Sequence, residues 1–514
     1  MATTLTADPW KTVRYVSGTA AATLALLALK YPDRAIFDEH REGIATMKGL
    51  PLVGGLPRQI LNRDVAYDML CKALEDLDAV TITGSNIGLP RRIITIHPDN
   101  VEHILKHNFE NYIKGPEFNA ATGDLLGHGI FNANGEQWKY QRKAASFIFN
   151  VKNFRDHFTD VFVKEIKRAS KELFDVALRD RTVIDFHDIM FKFTLDSFVL
   201  LGFGVELNAL GTKGKVPFAE SFDVCQLNSS WRMTFPLWRF TEKAKAILMP
   251  WKMSIQDHLN VINNFAADVI ATRRKQLDEG LEFKDLLSRF MNTRDENGDP
   301  LSPKALRDII LNFIIAGRDT TAQALSWTFY NLMLHPRVEK KLLEEIEQYV
   351  KPEMENDSPA LYEAIKEMKY AHAVFFEVLR LYPSVPNNIK YALNDDVWPD
   401  GTHIRAGDYV AWSTYAQGRS EKAWGPDAKQ FKPERWFTPE GELKRESQGQ
   451  WPVFHVGPRV CLGQHLATLE SLVTITMLLR RYKFALAPDQ HVTYQVSLTM
   501  PMKNGLKVFV APRN

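Results

Sequence analysis

Apolar and polar positions follow two different rhythms along the chain, and the change between them divides it. From about residue 135 to 381 apolar residues recur at helical spacing, which predicts helices over 135–149, 154–177, 185–203, 251–279, 303–334, 336–350 and 361–381. Upstream, AVTITGSNIGLPRRIITIHP (79–98) alternates residue by residue and reads as a two-stranded hairpin. After Pro383 the texture becomes short strands and turns rich in Pro, Gly, Asp and Trp. One more helix is expected over 463–482, and the chain closes on strand-like FALAP, VSLTM and LKVFVA. No repeat or low-complexity linker follows residue 57, although 292–302 and 351–358 read as polar loops. The expected fold is mainly α with a smaller β-rich part (α+β), one large domain over 45–514 behind an N-terminal segment, 1–44.

Composition narrows the class. With 45% hydrophobic and 25% charged residues among 514, the chain is globular and long enough to bury a large core. Lysine and arginine number 64 against 62 acids, a formal charge of +2, so no global field recruits nucleic acid. Three cysteines, Cys71, Cys225 and Cys461, exclude a disulfide scaffold and fit a reducing, intracellular setting.

The amino terminus stands apart. Between Arg14 and Lys30 lie fifteen uncharged residues, YVSGTAAATLALLAL, about 22 Å as a helix against roughly 30 Å of hydrocarbon. Snorkelling of Arg14 and Lys30 would extend this marginal span into an uncleaved membrane anchor. Lys30, Arg34, Arg41 and Lys48 outnumber Lys11 and Arg14, which would put the body in the cytosol. The other reading is an alanine-rich first helix packed on the body. A removed signal peptide fits poorly, because Ala20, Ala21 and Ala22 precede the leucines. GLPLVGGLP (49–57) is a stiff, non-helical lead-in that lacks the lysine of a phosphate loop.

Four motifs carry candidate chemistry. In FHVGPRVCLG (454–463), glycines let the backbone approach something flat and bulky, and amides directed at the Cys461 sulfur would stabilise a thiolate. AGRDTT (316–321) puts an arginine, an aspartate and two threonines directly after the apolar run IILNFIIA, where polar groups are costly unless used. Gly317 is expected to leave room for a ligand, and threonine to bend the helix. In AHAVFFEVLRLYP the apolar neighbours of Glu377 and Arg380 imply a buried pair that needs partners. WKYQR (138–142) sets Trp138 and Arg142 on one helical face.

Phe454 seven before Cys461, Gly457 four before, Arg459 two before and Gly463 two after form a specific pattern that resembles the haem-thiolate loop of the cytochrome P450 superfamily. The other motifs follow in that family's order, and the resemblance covers about 45–512. It implies the cytochrome P450 fold and a haem (iron protoporphyrin IX) with Cys461 as axial ligand, pushing electron density to favour O–O cleavage. It implies acid and alcohol roles for Asp319 and Thr320 in carrying protons to oxygen, and leaves Arg318 without one. It makes Glu377, Arg380 and Arg435, the last from FKPERW (431–436), a structural charge network that holds the Cys461 loop. Trp138, Arg142 and Arg459 would bind the haem propionates, with Lys390 as a further contact and Phe454 and Gly463 at the cofactor.

The implied activity is monooxygenation, one atom of O2 entering a C–H bond of a lipophilic substrate and the other leaving as water. Relatives that isomerise or dehydrate peroxides tend to alter the acid and alcohol positions, and a haem sensor or carrier needs neither. Zinc-protease and hydrolase motifs are absent, and GFGVEL (202–207) lacks the third glycine of a dinucleotide loop. No flavin domain is expected after Asn514, so electrons are expected from NADPH-cytochrome P450 reductase, which the resemblance implies, docking on a basic face with Lys139, Lys143, Arg480 and Arg481 as candidates. By family analogy Phe118, Phe222, Leu227, Trp231, Phe313, Val385, Ile389, Leu498 and Met500 would line an apolar pocket. AGRDTTAQALSW and LYPSVPNNIKYALNDDVWPDGT resemble the fatty-acid and alkane ω-hydroxylase branch of plants and fungi. A fatty acid is therefore the expected substrate, with steroids and xenobiotics as alternatives, and no residue marks a carboxylate anchor. A monomer at the endoplasmic reticulum membrane, its catalytic domain facing the cytosol, completes the expectation.

Overall fold

The computed structural model describes residues 9–149, 151–283, 285–294 and 298–513; the middle of the polar loop 292–302 lies outside them. Ten helices matter for the site: α1 (Pro9–Lys30), α2 (Pro116–Leu126), α3 (Gly135–Ser146), α4 (Phe186–Phe203), α5 (Pro217–Arg232), α6 (Trp238–Leu248), α7 (Ile255–Asp278), α8, α9 (Lys369–Leu381) and α10 (Gln464–Arg481). Helix α8 runs as Pro303–Ile314, a widened turn Ile315–Asp319 and Thr320–Leu334.

Helix α8 is the axis of the molecule, for reasons visible in its sequence. Ser302 caps it by accepting from the Ala305 N–H at 3.1 Å, Pro303 fills a first-turn position, and the helix ends at Leu334, two residues before Pro336. It packs against α4, α7, α9 and α10. Helix α4 is buried nearly all round, capped by Asp185 and closed by Gly204 at φ +61°. These helices share one apolar core, and a second, smaller core lies behind the main sheet around Ile93, Val410 and Trp412.

The predicted hairpin forms as β2 (Thr81–Gly84) and β3 (Arg92–Thr95), antiparallel, with Ile82 opposite Ile94. It lies in a six-stranded sheet of order β1-β2-β3-β9-β6-β4, where β1 is Ala45–Thr46, β4 Tyr112–Ile113, β6 Asn387–Ala392 and β9 Tyr409–Ser413. A three-stranded sheet joins β10 (Tyr482–Leu486), β11 (Lys507–Pro512) and β5 (Ile184–Asp185), and β7 (Asp396–Val397) and β8 (His403–Ile404) pair alone.

Several expectations are corrected. The helix expected over 361–381 is two, Ser358–Glu367 and α9, because Met368 at ψ +80° breaks the ladder; its side chain is buried, so the apolar pattern runs through the break. VSLTM is a turn rather than a strand: the Met500 N–H donates to the Ser384 carbonyl, and the buried side chain belongs to the helical core. Helices α2, α5 and α6 were not expected; α2 and α5 show little helical period, whereas α6 has a clear one that sequence reading missed.

At the amino terminus α1 has 22 residues, about 33 Å, and starts six residues before the uncharged run. It is exposed over most of its described length, which overturns the reading of a helix packed on the body. Among the described residues no helix is long and apolar enough to cross a membrane. Residues 31–44 do pack on the body, burying Tyr31, Ala35 and Ile44 and pairing Arg41 with Asp408.

Candidate functional site

The loop before α10 is built around Cys461. Its N–H donates to the Phe454 carbonyl at 2.8 Å, and the Val460 N–H to the Gly457 carbonyl at 3.0 Å, which turns the sulfur inward. Gly457 has φ +63°, and a Cβ there would meet the Leu105 carbonyl at 2.4 Å. A Cβ at Gly463 would meet nothing nearer than the Cys461 sulfur, 3.9 Å away. Of the three cysteines Cys461 alone is exposed, although it lies deep in the protein. Burial raises its thiol pKa, opposed by the Gly463 N–H and by Arg142. Cys71 and Cys225 are pushed up to about 11 and 12 by burial, as inert core thiols are.

Around this loop the structure gathers cations. Arg142 and Arg459 both stand over the Trp138 ring, 5.8 and 4.6 Å from its centre. Arg459 donates to the Ala133 carbonyl at 2.7 Å, and its Nε has no partner. Lys390 on β6 is 1% exposed and its Nζ is unpartnered. Lys114, which the sequence did not single out, lies over the Phe118 ring at 4.5 Å, its backbone tied to Asn134, which also accepts from Arg459. Burial pushes Lys114 down to about 7 and Arg459 to about 10, and Lys390 well below the lysine range. None of the four forms an ion pair among the described residues. Lys390 is buried and the other three are half-buried, and an ion held away from water without a partner is costly, so the cluster calls for an anion. Two guanidinium forks and two ammonium groups beside an inward-facing sulfur fit a flat, dianionic, metal-centred ligand such as haem.

Helix α8 is fastened to the same place. Asp308 accepts from the His128 N–H at 2.9 Å, and Asn312 accepts from the Phe131 N–H at 3.0 Å and donates to the Leu126 carbonyl at 2.7 Å. The loop so held offers its Ile130 and Ala133 carbonyls to Arg459. In the widened turn freed carbonyls find hydroxyls: Thr320 donates to the Ala316 carbonyl (2.7 Å), Thr194 to Arg318 (2.9 Å) and Ser384 to Thr320 (2.7 Å). Gly317 corrects an expectation, since a Cβ there would lie 1.9 Å from the Phe198 ring. The glycine makes room for α4, not for a ligand. Asp319 is buried, its carboxylate taking hydrogen bonds from Arg318 (3.0 Å) and Gln226 (2.5 Å).

The Glu377 network is closed. Arg380 grips Glu377 with two bonds of 2.8 Å, Arg435 and the Trp436 indole donate at 3.0 Å, and the Lys432 N–H at 2.9 Å. Arg435 also pairs with Asp427, which sequence reading missed, at 3.0 Å. The remaining Arg380 protons go to the Gly418, Ala428 and Gln430 carbonyls, pinning the segments on either side of Asp427.

The apolar candidates separate. Phe118, Leu227, Val385, Ile389 and Leu498 are half-buried. Phe222 packs on Phe218, Phe313 on Phe290, and Met500 sits behind α8, its carbonyl accepting from Trp327. Trp231 stacks on Phe235 at 4.7 Å with Arg63 over it, at the junction of α5 and α6. Of the basic face, Lys139 and Lys143 line a shallow groove of about 400 Å³ with Trp138, Arg142, Pro458 and Leu462. Arg480 and Arg481 do not belong to it: they end α10, about 24 Å along the helix from Gln464, and Arg480 is paired with Glu355.

Sequence comparison agrees with this geometry. The family model described as Cytochrome P450 matches residues 81–507. The chain is 35% identical to cytochrome P450 704B1 of Arabidopsis thaliana over 92% of its own length and 97% of that protein's. It is 37% identical to cytochrome P450 94C1 of the same plant, over 82% and 85%. It is 35% identical to cytochrome P450 monooxygenase cyp1 of Mycosarcoma maydis, over 96% and 79%. An inward-facing thiol among cations that lack an anion is what a haem-thiolate protein has before its cofactor is considered, and with matches of this extent the chain belongs to the cytochrome P450 family of haem-thiolate monooxygenases.

Proposed function

We propose that this monooxygenase hydroxylates a fatty acid, receiving electrons from a separate NADPH-cytochrome P450 reductase. Haem, when bound through the Cys461 thiolate, supplies the oxygen-activating chemistry. The chain's part is to hold it, with Trp138, Arg142, Arg459, Lys114 and Lys390 answering the propionates, and to manage protons. The observation that carries monooxygenation is the intact pair Asp319 and Thr320 at the end of the widened turn of α8, a buried acid followed by a hydroxyl. Thr320 holds its proton on the Ala316 carbonyl and can turn it elsewhere by rotating χ1. The fatty-acid reading rests on the motif wording and is supported by the similarity to cytochromes P450 704B1 and 94C1. Lys139 and Lys143, on the groove beside the Cys461 loop, are the proposed reductase contact.

Attachment to the endoplasmic reticulum membrane, body toward the cytosol, is proposed through α1, whose Val13, Val16, Leu24, Leu26 and Leu29 are exposed. Exposed Phe240, Ile247, Leu248 and Trp251 in and after α6 support it. The test of substrate class is an optical titration of the ferric holoprotein with fatty acids, alkanes and steroids. A shift of the Soret band to high spin with fatty acids alone is expected, and a shift with steroids alone overturns the assignment. Thr320→Ala is expected to keep the thiolate spectrum and to lose product formed per NADPH consumed; retained coupling would remove Thr320 from the proton path.

A further inference from the structure

Arg318, the residue of AGRDTT left without a role, is shared between two carboxylates. Its Nη1 lies 2.7 Å from Asp223 Oδ1 on α5 and 3.0 Å from Asp319 Oδ1, and its Nη2 lies 3.3 Å from Asp223 Oδ2. The guanidinium stacks over the Phe191 ring of α4 at 4.7 Å, which fixes its plane. The side chains of Arg318 and Asp319 are 3% and 2% exposed, and that of Asp223 is 53% exposed. One turn along α5, Gln226 donates Nε2 to Asp319 Oδ2 at 2.5 Å, while its own Oε1 is buried without a partner.

We infer that Asp223 and Gln226 are positioning residues for Asp319: Asp223 draws the charge of Arg318 toward the surface, and Gln226 offers Asp319 a partner in either protonation state. This rests on the reading of Asp319 as the acid of the site. The physical case is a count of charges. One cation faces two carboxylates, so one negative charge is in excess, and a proton goes to the group that water solvates least. Asp319, the buried member of the two, is the group that takes the proton. Were Arg318 devoted to Asp319 alone, a one-to-one buried pair would hold it ionised and of little use as a proton donor. Burial indeed pushes Asp319 up to about 6, against the pull of Arg318, and Asp223 pushes in the same direction as burial. The orphaned Gln226 oxygen completes the device. A half-turn of the amide replaces the N–H donor by the Oε1 acceptor, which is what a protonated Asp319 needs.

The neighbouring charges leave this arrangement in control. On α4, His187 faces Asp223 and Arg318, hydrogen-bonded to Ser326 at 3.0 Å; burial pushes it down to about 4, so it is neutral where Asp319 titrates. Asp188 pairs with Lys192 at 2.9 Å, and Lys215, which faces Asp223, pairs with Glu220 at 2.6 Å. None of these bonds Asp319.

The test is an infrared pH titration of carboxyl groups in the ferric, haem-loaded protein, with Asp319→Asn to assign the band. A carboxyl titrating near pH 6 and lost in Asp319→Asn is expected. Asp223→Asn should move that titration down by at least one pH unit, a tenfold change in proton affinity, and Asp223→Glu should restore it. Gln226→Leu, which removes the donor to the carboxylate, should move it up. An unmoved titration in Asp223→Asn, a shift of the same sign in Asp223→Asn and Gln226→Leu, or no band near pH 6 overturns the inference. Product formed per NADPH, followed against pH, should shift in step. A titration that moves while this ratio does not supports the positioning and overturns the role of Asp319 as the acid.

Discussion

Two charge clusters of this protein differ in one respect, and the difference separates a brace from a binding site. Around Glu377 every charge has an answer: Arg380 and Arg435 on the carboxylate, Asp427 on Arg435, and backbone carbonyls on the protons left over. Around Cys461 four cations, Lys114, Arg142, Lys390 and Arg459, form no ion pair among the described residues, with Glu110 acting on Arg459 only at a distance, and the Lys390 Nζ and the Arg459 Nε lack a hydrogen-bond partner. A closed network is complete in the protein alone and holds chain segments in register. An open one is complete only with an anion, so it names its ligand's charge.

Removing members of each should therefore give different signatures. Cys461→Ala should abolish the thiolate-type Soret band of the holoprotein entirely while shifting the apoprotein's denaturation midpoint little. Glu377→Ala should cost about 3–5 kcal/mol with or without cofactor, because it strands two buried guanidinium groups; matched urea titrations of both forms check this. Lys390→Met should have opposite signs in the two states. The apoprotein should be unchanged or stabilised by about 1–4 kcal/mol, and haem should leave about tenfold faster, read by transfer to an apo-acceptor. A loss of apoprotein stability would show that the cluster is not open.

The open cluster has a pH signature too. Burial holds Lys114 near 7, far below the lysine of an unfolded chain, so above pH 7 the unfolded state binds more protons. Apoprotein stability should rise from about pH 7 toward 10, by at most about 1.4 kcal/mol per unit from this group, and bound haem should flatten the slope. Gly317→Ala, outside both clusters, should cost about 1–3 kcal/mol by driving a methyl into Phe198, with partial recovery in Gly317→Ala/Phe198→Leu.

The chain's pattern by itself determined the long helices, above all α8, whose cap Ser302, first-turn Pro303 and stop before Pro336 lie within one apolar run. It also determined the hairpin and the identity of the four motifs, since spacing around Cys461 and within AGRDTT is local and survives without a partner. It did not show α5, which packs on α2 and α7 and bonds α8 through Asp223 and Gln226 without a helical period of its own, and with α5 went those two residues. Lys114 was equally silent: a lone lysine before a Gly-Pro looks like any surface lysine until the Asn134 side chain holds its backbone while accepting from Arg459 of the cofactor loop. Gly317 was read the wrong way, because a glycine in a helix says that something comes close and not what. Only the tertiary structure decided which charges found partners and which were left for a ligand, because burial and pairing depend on residues hundreds of positions apart, and no local pattern records them.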